Sequence, residues 1–427
     1  MGEYVGLCIG NYEFLSCKNS FGDLLSIYSP DDLNIEEVFD LEINETITRR
    51  YFTTTVNKAK MCLDVMGHTL SEAKRLFEYH KRGYLGYLDY LRYNYHNEVD
   101  IEHIEKNYTF ENWVMAVKKY SLVLAYDIYK DGEYISLEKC KQEKISLCEK
   151  LVLKSLPHWA DNTYFGVDFC YSKEDIGSPW DVFRVILDAF KPEDIITLDY
   201  TNLFEGGWCT EVPDKEEYLV PRTVILTEGK TDTRVISQAM ELLYPHMMKF
   251  YSFIDFSTFG VQGSTNYLTH YTRAFIAAGI RNRIIALYDN DSAGLSEIEI
   301  LKDIPIPSNV KIMHLPDLEM CNHYPTIGPE GFSIDNINGR ACSIEMFLGK
   351  DILKKSGEYE PIRWKAYLDK VNAYQGEIVS KSQVLKEFEF KLKRSKNQLV
   401  LDEWEEFDLL LKEIFDAFTK LCCEKMK

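Results

Sequence analysis

The amino-acid sequence predicts an α/β protein whose central feature is a parallel sheet flanked by helices in residues 222–350. A mainly α-helical domain with a short β start precedes this region, and a helical extension follows it. Three observations support the prediction. In the central region, apolar β-branched runs alternate with amphipathic helices. In the region before it, apolar residues recur every three or four positions, as on one face of a helix. The same helical spacing returns after Gly349. Such alternation is typical of right-handed crossover units with both faces of the sheet covered.

The domain boundaries follow from changes in these patterns. Residues 212–221 are polar and contain two prolines, as segments between domains often do. We predict a small β region in 1–45, a helical domain in 46–211, a linker in 212–221, the parallel-sheet domain in 222–350 and a helical extension in 351–427.

The first strand of the predicted sheet is the apolar run Thr223–Thr227, and the turn Glu228-Gly229-Lys230-Thr231-Asp232 follows it directly. A helix is expected to begin at Thr231 or Asp232, because either side chain can cap the free amides of a first turn. Further strands are expected near Phe250–Phe256, at Ile284–Tyr288 and at Val310–Leu315.

Carboxylates follow two of these strands at the points where the strands end. Glu228 comes after the first strand, and Asp289 and Asp291 come after Ile284–Tyr288. Because ligands of parallel sheets collect at the carboxyl ends of the strands, we expect these side chains to lie close together. Crowded carboxylates repel one another, and such sites usually hold a hard divalent cation such as Mg²⁺. The alternative is that Asp289–Gly294 is only a polar turn that caps a helix.

Together, Glu228–Asp232 and Asp289–Gly294 resemble the Toprim domain of topoisomerases, bacterial primases and the overcoming-lysogenization-defect nucleases. The resemblance covers about residues 222–350. It implies that the glutamate and the Asp-x-Asp pair bind Mg²⁺ or Mn²⁺ and act on nucleic-acid phosphodiesters. A further acidic residue often completes the site, and Glu345 is the candidate here, with Asp335 as the weaker one.

Within the Toprim family, the sequence favours the nuclease branch. The chain is too short for the accessory domains of a topoisomerase, and it contains no Cys-x-x-Cys for the zinc ribbon of a primase. Asp232, four residues after Glu228, resembles the second acid of the nucleases. A two-metal phosphodiester hydrolase is therefore expected, in which Asp289, Asp291 and Glu345 hold one ion while Glu228 and Asp232 hold the other or orient the attacking water.

Two further residues are candidates for contact with the substrate. Lys230 is predicted to neutralise a phosphate oxygen during the reaction, unless it is a solvated lysine in a turn. Ser264, which follows Gly260 and Gly263 and precedes a predicted helix, is predicted to help cradle a phosphate on the free amides of that helix.

The helical pattern expected from Thr46 onward, placed between a short β start and the Toprim-like region, resembles bacterial proteins in which a HEPN-like domain precedes a Toprim domain. HEPN ribonucleases carry an arginine and, a few residues later, a histidine on one helix. Arg75 and His80 match that spacing, but Leu76 stands where the family has a polar residue. We expect a helical module for assembly or sensing, and the alternative is a metal-independent HEPN ribonuclease.

The net charge of −19 is unevenly distributed, since residues 1–221 carry 23 basic and 39 acidic side chains. Such an acidic region repels nucleic acid and suits contacts with protein partners. The segment best suited to bind nucleic acid is a predicted basic helix in Lys381–Lys396, with Lys386, Lys391, Lys393 and Arg394. Alternatively, this helix pairs with the acidic segment that follows it.

The resemblance implies a nuclease effector of bacterial antiphage defence, controlled by a protein partner such as an ATPase sensor, and it leaves room for a homo-oligomer. A Toprim-like regulatory subunit that binds without cleaving is the alternative. The substrate is expected to be DNA or RNA. No apolar run has the length of a membrane span, and the eleven scattered cysteines favour reduced thiols in the cytoplasm.

Overall fold

A computed structural model gives the fold of the chain. It describes residues 2–40, 44–95, 100–130, 133–142, 144–156, 163–169, 177–213, 220–254, 260, 263–355 and 357–419. The chain divides into two compact units, 1–219 and 220–427. Residues 214–219 of the predicted linker and residues 255–256 of the predicted second strand lie outside the described residues. In the described part of the chain, no helix has the length and apolar character needed to cross a membrane.

The N-terminal unit contains nine strands and eight α-helices within the described residues. The strands are β1 Tyr4–Ile9, β2 Tyr12–Lys18, β3 Leu33–Asp40, β4 Glu45–Thr55, β5 Tyr129–Lys130, β6 Glu133–Tyr134, β7 Thr163–Tyr164, β8 Val167–Asp168 and β9 Ile195–Asp199. The helices are α1 Val56–Met66, α2 Leu70–Tyr95, α3 Ile101–Asn107, α4 Phe110–Ala125, α5 Ile135–Lys141, α6 Leu147–Lys154, α7 Pro179–Ile186 and α8 Thr201–Glu205.

Five of these strands form one antiparallel sheet in the order β2-β1-β9-β4-β3. Leu198 of β9 lies opposite Leu7 on one side and Phe52 on the other, and all three side chains are buried. The prediction of a helical pattern from Thr46 onward is wrong for β4. Its alternation of buried Phe52 and Thr54 with less buried neighbours is the period-2 pattern of a strand, and helix α1 begins only at Val56.

The helices of this unit surround an aromatic core. Trp113 of α4 is buried, donates from its indole nitrogen to the carbonyl of Phe165 at 2.8 Å and packs against Phe77 of α2. Helix α1 ends at Gly67, whose φ of 105° is the left-handed conformation that favours glycine. Gly67 therefore separates α1 from α2, which begins at Leu70.

The C-terminal unit contains twelve strands and six α-helices within the described residues. The strands are β10 Thr223–Leu226, β11 Tyr251–Phe253, β12 Ile284–Tyr288, β13 Asn290–Asp291, β14 Val310–His314, β15 Tyr324–Gly328, β16 Gly331–Asp335, β17 Ala341–Cys342, β18 Lys354–Lys355, β19 Glu358–Tyr359, β20 Ile362–Leu368 and β21 Ala373–Ile378. The helices are α9 Lys230–Leu243, α10 Thr265–Ala277, α11 Ser292–Leu301, α12 Lys350–Leu353, α13 Lys381–Ser395 and α14 Glu405–Asp416.

A four-stranded parallel sheet lies at the centre of this unit, in the order β11-β10-β12-β14. All five residues of β12 are buried, as a strand covered on both faces requires. The predicted parallel α/β arrangement is thus confirmed for these four strands. Helix α9 begins at Lys230 rather than at Thr231 or Asp232, and Gly229 occupies the capping position.

A second sheet contradicts the prediction that the region after residue 350 is entirely helical. Strands β20 and β21 form an antiparallel hairpin, and the sheet order is β16-β15-β20-β21. The hairpin residues Trp364, Tyr367 and Tyr374 have high strand propensity, and Asn372 has the positive φ of 51° that a tight turn between strands requires. Helical structure resumes with α13, which begins at Lys381.

The turn between β1 and β2 gives a direct test of the N-terminal fold. Gly10 has a φ of +61°, and a Cβ there would lie 2.2 Å from the carbonyl oxygen of Ala125. We expect Gly10→Ala to lower the free energy of unfolding by about 2 kcal/mol or more, because the backbone conformation and the close approach both exclude a side chain. Urea denaturation measures this change.

A second glycine supplies the matched control. A Cβ at the exposed Gly86, inside helix α2, would meet no atom within 4 Å. Gly86→Ala should therefore raise stability by about 0.5–1 kcal/mol through helix propensity. Equal effects of the two substitutions would contradict the described turn.

Candidate functional site

The carboxylate of Glu228 lies beside Asp289 at the carboxyl edge of the parallel sheet. Glu228 follows β10 and Asp289 follows β12, and these two strands are hydrogen-bonded neighbours. The backbone N–H of Asp289 donates to Glu228 Oε1 at 3.0 Å, and the hydroxyl of Thr265 donates to Glu228 Oε2 at 2.6 Å. The two acids, about sixty residues apart in the sequence, therefore share one edge of the sheet.

Asp291 is buried and caps the helix that follows it. Its Oδ1 accepts from the N–H of Gly294 at 2.7 Å. A Cβ on Gly294 would lie 2.3 Å from the carbonyl oxygen of Asp289, so the turn closes too tightly for any side chain at that position. This compact turn explains why both aspartates are held at the same strand end.

A short antiparallel pairing brings Glu345 to the same place. Strand β17 pairs with β13, and the chain then continues through Ser343 to Glu345. The N–H of Ile344 donates to Asp289 Oδ1 at 3.2 Å, and Ser343 Oγ donates to Glu345 Oε2 at 2.6 Å. Glu345 is only 1% exposed. This pairing links the predicted downstream acid, Glu345, to the turn Asp289–Gly294, the aspartate turn.

Asp232 joins the group from the first turn of α9. Its Oδ2 accepts from the N–H of Gly229 at 2.9 Å. The carboxylates of Glu345 and Glu228 are near enough to repel it and raise its pKa. Five predicted metal ligands thus form one acidic cluster: Glu228, Asp232, Asp289, Asp291 and Glu345.

Lys381, at the start of α13, supplies a positive charge to the acidic cluster. Its Nζ lies 2.9 Å from Glu345 Oε1, although that oxygen accepts no hydrogen bond of good geometry. Burial alone would lower the pKa of Lys381, but the carboxylates of Glu345, Asp289 and Asp232 outweigh burial and raise it. Lys381 therefore carries a charge that offsets part of the repulsion in the cluster.

Burial and mutual repulsion raise the pKa values of four carboxyl groups in the acidic cluster. For Asp232, burial is the largest cause and the pKa reaches about 7. The pKa of Asp289 is raised well above its ordinary value by burial and by four neighbouring carboxylates. Burial is also the main cause for Glu228 and Asp291, with hydrogen bonds to both groups opposing it. The cluster therefore has more negative charge than its surroundings stabilise.

The chemistry of these donors fits a hard divalent cation. All of them are carboxylate oxygens, and their total negative charge exceeds the positive charge beside them. The geometry is not that of a formed site. Among the residues that the structure describes, no group of three or more His, Cys, Asp or Glu side chains stands ready to hold a metal ion. Hydrogen bonds engage several of the carboxylate oxygens instead, and Lys381 lies against Glu345. The case for a cation therefore rests on charge and donor type.

Gln375, on β21, holds the aspartate turn in place. Its Nε2 donates to Asp291 Oδ2 at 2.5 Å, and its Oε1 accepts from the N–H of Ala293 at 3.0 Å. The hydroxyl of Ser292 donates to the carbonyl of Tyr374 at 2.9 Å. Sequence reasoning missed Gln375 and Lys381, because nothing in their local sequence indicates that a hairpin and a helix after residue 350 return to the sheet edge.

Other predicted site residues do not join the acidic cluster. Lys230 is exposed on α9, and its ammonium has no ion-pair partner among the described residues. Ser264 caps α10 by accepting from the N–H of Tyr267 at 3.4 Å. Asp335 accepts from Thr326 and from Ser333 Oγ at 2.6 Å within the second sheet. The substrate contacts assigned to Lys230 and Ser264 stay predictions.

The basic helix α13 requires a correction. Lys391 is 3% exposed, and its Nζ donates to the carbonyl of Leu348 at 2.9 Å and to Asp351 Oδ1 at 2.7 Å, so it is not available to nucleic acid. Arg394 pairs with Glu403 of the following acidic segment, which supports the alternative of intramolecular pairing. Lys386 and Lys393 are exposed, and their role in binding stays a prediction.

The predicted dyad in the N-terminal unit is engaged in local contacts. Arg75 donates from Nε to Glu72 Oε1 at 2.9 Å, and His80 Nδ1 accepts from the N–H of Asp168 at 3.0 Å. Burial lowers the pKa of His80. Five residues along a helix also place two side chains about 140° apart around its axis. The catalytic role of Arg75 and His80 stays a prediction.

The fold and the acidic cluster define a class: a two-unit α/β protein with an antiparallel sheet and helices in one unit and acidic strand ends in the other. The chain belongs to the HEPN/Toprim N-terminal domain 1 family, whose model matches residues 1–222. The resemblance to HEPN/Toprim proteins is thereby confirmed. No curated protein and no solved structure matches this chain.

Removal of one charge from the acidic cluster should stabilise the protein in a chelator. The pKa of Asp232 is about 7, against 3.8 for an ordinary aspartate. The folded state therefore binds the proton more tightly, and stability falls as the pH rises between these values. In EDTA at pH 8, we expect Asp232→Asn to be more stable than the wild type by on the order of 2 kcal/mol. Thermal unfolding at pH 4 should show little difference.

The exposed Asp303 supplies the control for this measurement. Asp303→Asn removes the same charge from the same unit and should leave the melting temperature unchanged at both pH values. A less stable Asp232→Asn protein at pH 8 in EDTA would contradict the repulsion inferred for the acidic cluster.

Proposed function

We propose that the C-terminal unit is a Toprim nuclease, similar to the overcoming-lysogenization-defect nucleases, that hydrolyses nucleic-acid phosphodiesters with Mg²⁺ or Mn²⁺. The family membership supports a nuclease-related role. The observation that carries the proposal is the convergence of five carboxylates from three regions of the chain, with one lysine, at the carboxyl edge of a parallel sheet. Such an excess of oxygen donors suits cations that bridge to phosphate.

The residues have distinct roles in the proposed reaction. Asp289, Asp291 and Glu345 would hold one cation, and Glu228 and Asp232 would hold a second or orient the attacking water. Bound divalent cations supply Lewis acidity and lower the pKa of water, which is the chemistry of two-metal phosphodiester hydrolysis.

Lys381 places a positive charge directly against the acidic cluster. Its Nζ lies 2.9 Å from Glu345 Oε1, where a phosphate beside the carboxylates would also come within reach. Its raised pKa keeps it charged, so it can neutralise charge that develops on a phosphate oxygen. We therefore assign to Lys381 the electrostatic role predicted for Lys230, which is exposed on α9.

The proposed chemistry predicts that cleavage depends on the aspartate turn. The full chain is incubated with Mg²⁺ or Mn²⁺ and with plasmid DNA, single-stranded DNA, messenger RNA or transfer RNA. Asp289→Ala should lower the cleavage rate by about 100-fold or more, because it removes a proposed ligand from the centre of the cluster. Asp303→Ala, at an exposed aspartate of the same unit, should cleave at the wild-type rate.

The other outcomes separate the alternative functions. Cleavage of RNA that survives Asp289→Ala and is lost in His80→Ala would assign the activity to the HEPN-like dyad. Nucleic-acid binding by the wild type without cleavage under either metal would identify a Toprim-like regulatory subunit.

We further propose that the protein acts in bacterial antiphage defence, with a protein partner such as an ATPase sensor controlling cleavage. The HEPN/Toprim family membership and the acidic N-terminal region, which suits protein contacts, support this role. In cells that carry the partner, phage should plate less efficiently with the wild type than with Asp289→Ala. Equal plating would contradict the defence role and leave the cleavage assay unaffected.

Gln375 is expected to act as a positioning residue for Asp291. Gln375→Leu removes both hydrogen bonds to the aspartate turn, and loss of such support typically costs about 10–100-fold in metal affinity or activity. We therefore expect a higher Mg²⁺ concentration for half-maximal cleavage. Gln375→Glu should be impaired at least as strongly, because it places another carboxylate beside Asp291.

A matched control is Gln383→Leu, since Gln383 is exposed and its side-chain amide donates to Glu387, outside the acidic cluster. It should leave the Mg²⁺ titration unchanged. A Gln375→Leu protein with reduced cleavage but an unchanged Mg²⁺ midpoint would show that the residue has a general structural role instead.

A further inference from the structure

A cavity of about 570 Å³ lies directly beside the acidic cluster. One wall comes from the starts of α10 and α11, and the opposite wall from the tip of the β20–β21 hairpin. Its lining residues are Ser264, Thr265, Asn266, Ala293, Ser296, Glu297, Tyr367, Leu368, Asp369 and Lys370. The volume falls in the range of small-molecule sites, and the cavity is large enough to admit one unit of a larger substrate.

Two lining residues connect the cavity to the acidic cluster. Thr265 donates from its hydroxyl to Glu228 Oε2 at 2.6 Å. The N–H of Ala293 donates to Gln375, which in turn donates to Asp291. A group bound in this cavity would therefore lie next to a phosphate held at the carboxylates.

The hairpin wall presents an exposed aromatic surface. Tyr367 is 45% exposed and Tyr374 is 43% exposed, and their rings meet edge to face with centroids 5.1 Å apart. The hydroxyl of Tyr367 donates to Asn372 of the same hairpin. An accessible ring beside a cavity is suited to stacking with a flat partner.

The charges around the cavity indicate which part of a nucleic acid fits it. Glu297 and Asp369 are acidic, Lys370 is the single basic residue of the lining, and the other polar groups are hydroxyls and one amide. This balance disfavours a second phosphate and favours the hydrogen-bonding groups of a base and a sugar. On the same hairpin, the exposed Arg363 and the Lys365–Glu377 pair lie outside the lining, where a backbone could pass.

We propose that this cavity binds the nucleoside next to the scissile phosphate, with its base stacked on Tyr367. A base inside a duplex is already stacked between its neighbours, so such a contact requires an unpaired nucleotide. The substrate class is therefore single-stranded nucleic acid, or a strand that is locally unpaired. This inference rests on the proposed nuclease function, because it uses the acidic cluster as the place of the phosphate.

The test measures binding of the full chain to short labelled oligonucleotides with Ca²⁺ in place of Mg²⁺. Single-stranded DNA or RNA should bind more tightly than a blunt duplex of the same sequence. Tyr367→Ala should weaken single-strand binding by about 5-fold to 150-fold, the range for loss of one base–aromatic contact. Tyr367→Phe keeps the ring and should stay within about 3-fold of the wild type.

A spectroscopic measurement distinguishes stacking from a structural role. A strand that carries 2-aminopurine should lose fluorescence on binding to the wild type and to Tyr367→Phe, but not on binding to Tyr367→Ala. Tyr87→Ala supplies the control, because Tyr87 is 56% exposed on α2 in the other unit. Its binding and quenching should match the wild type.

The outcomes separate this inference from the proposed function. Wild-type binding and cleavage rates in Tyr367→Ala, or a preference for the duplex, would overturn the nucleoside site and leave the nuclease in place. Single-strand binding that depends on Tyr367, in a protein that cleaves nothing with Mg²⁺ or Mn²⁺, would support the site and overturn the hydrolytic function.

Discussion

Repulsion among buried carboxylates is the constraint on which the C-terminal unit depends. Asp289 has four carboxylate neighbours, and burial further disfavours its charged form. Backbone N–H donors, the amide of Gln375 and the ammonium of Lys381 hold the group together. A fold does not gain stability from such an arrangement, and proteins that keep one usually use it for chemistry. The raised pKa values therefore support the functional role proposed for the acidic cluster.

Much of this site could be predicted from the sequence, because its main parts follow strand ends. Buried parallel strands are continuous apolar runs, and their carboxyl ends meet at one edge by topology. Glu228, Asp289 and Asp291 could therefore be placed together from the sequence alone. Asp232 comes four residues after Glu228, in the first turn of α9, so its position followed as well.

The parts that could not be predicted depend on contacts between distant segments. Gln375 and Lys381 reach the acidic cluster only because the β20–β21 hairpin and α13 return to the sheet edge. The charge of Lys391 suggested a nucleic-acid surface, whereas tertiary packing buries it among carbonyl and carboxylate oxygens. In the N-terminal unit, β4 is followed directly by α1. The apolar spacing of α1 was therefore extended back over the strand, and β4 was predicted as helix.

Helix α13 connects the acidic cluster to a second anchored segment of the C-terminal unit. The charge of its first residue, Lys381, offsets part of the negative charge of the acidic cluster. Near the other end of the helix, the ammonium of Lys391 donates to the carbonyls of Leu348 and Glu403. These two lysines lie about 15 Å apart along a single rigid rod. Binding of a ligand to the segment around Glu403 would thus act on the acidic cluster, because a shift of α13 by one turn, about 5.4 Å, would withdraw the Lys381 ammonium from Glu345.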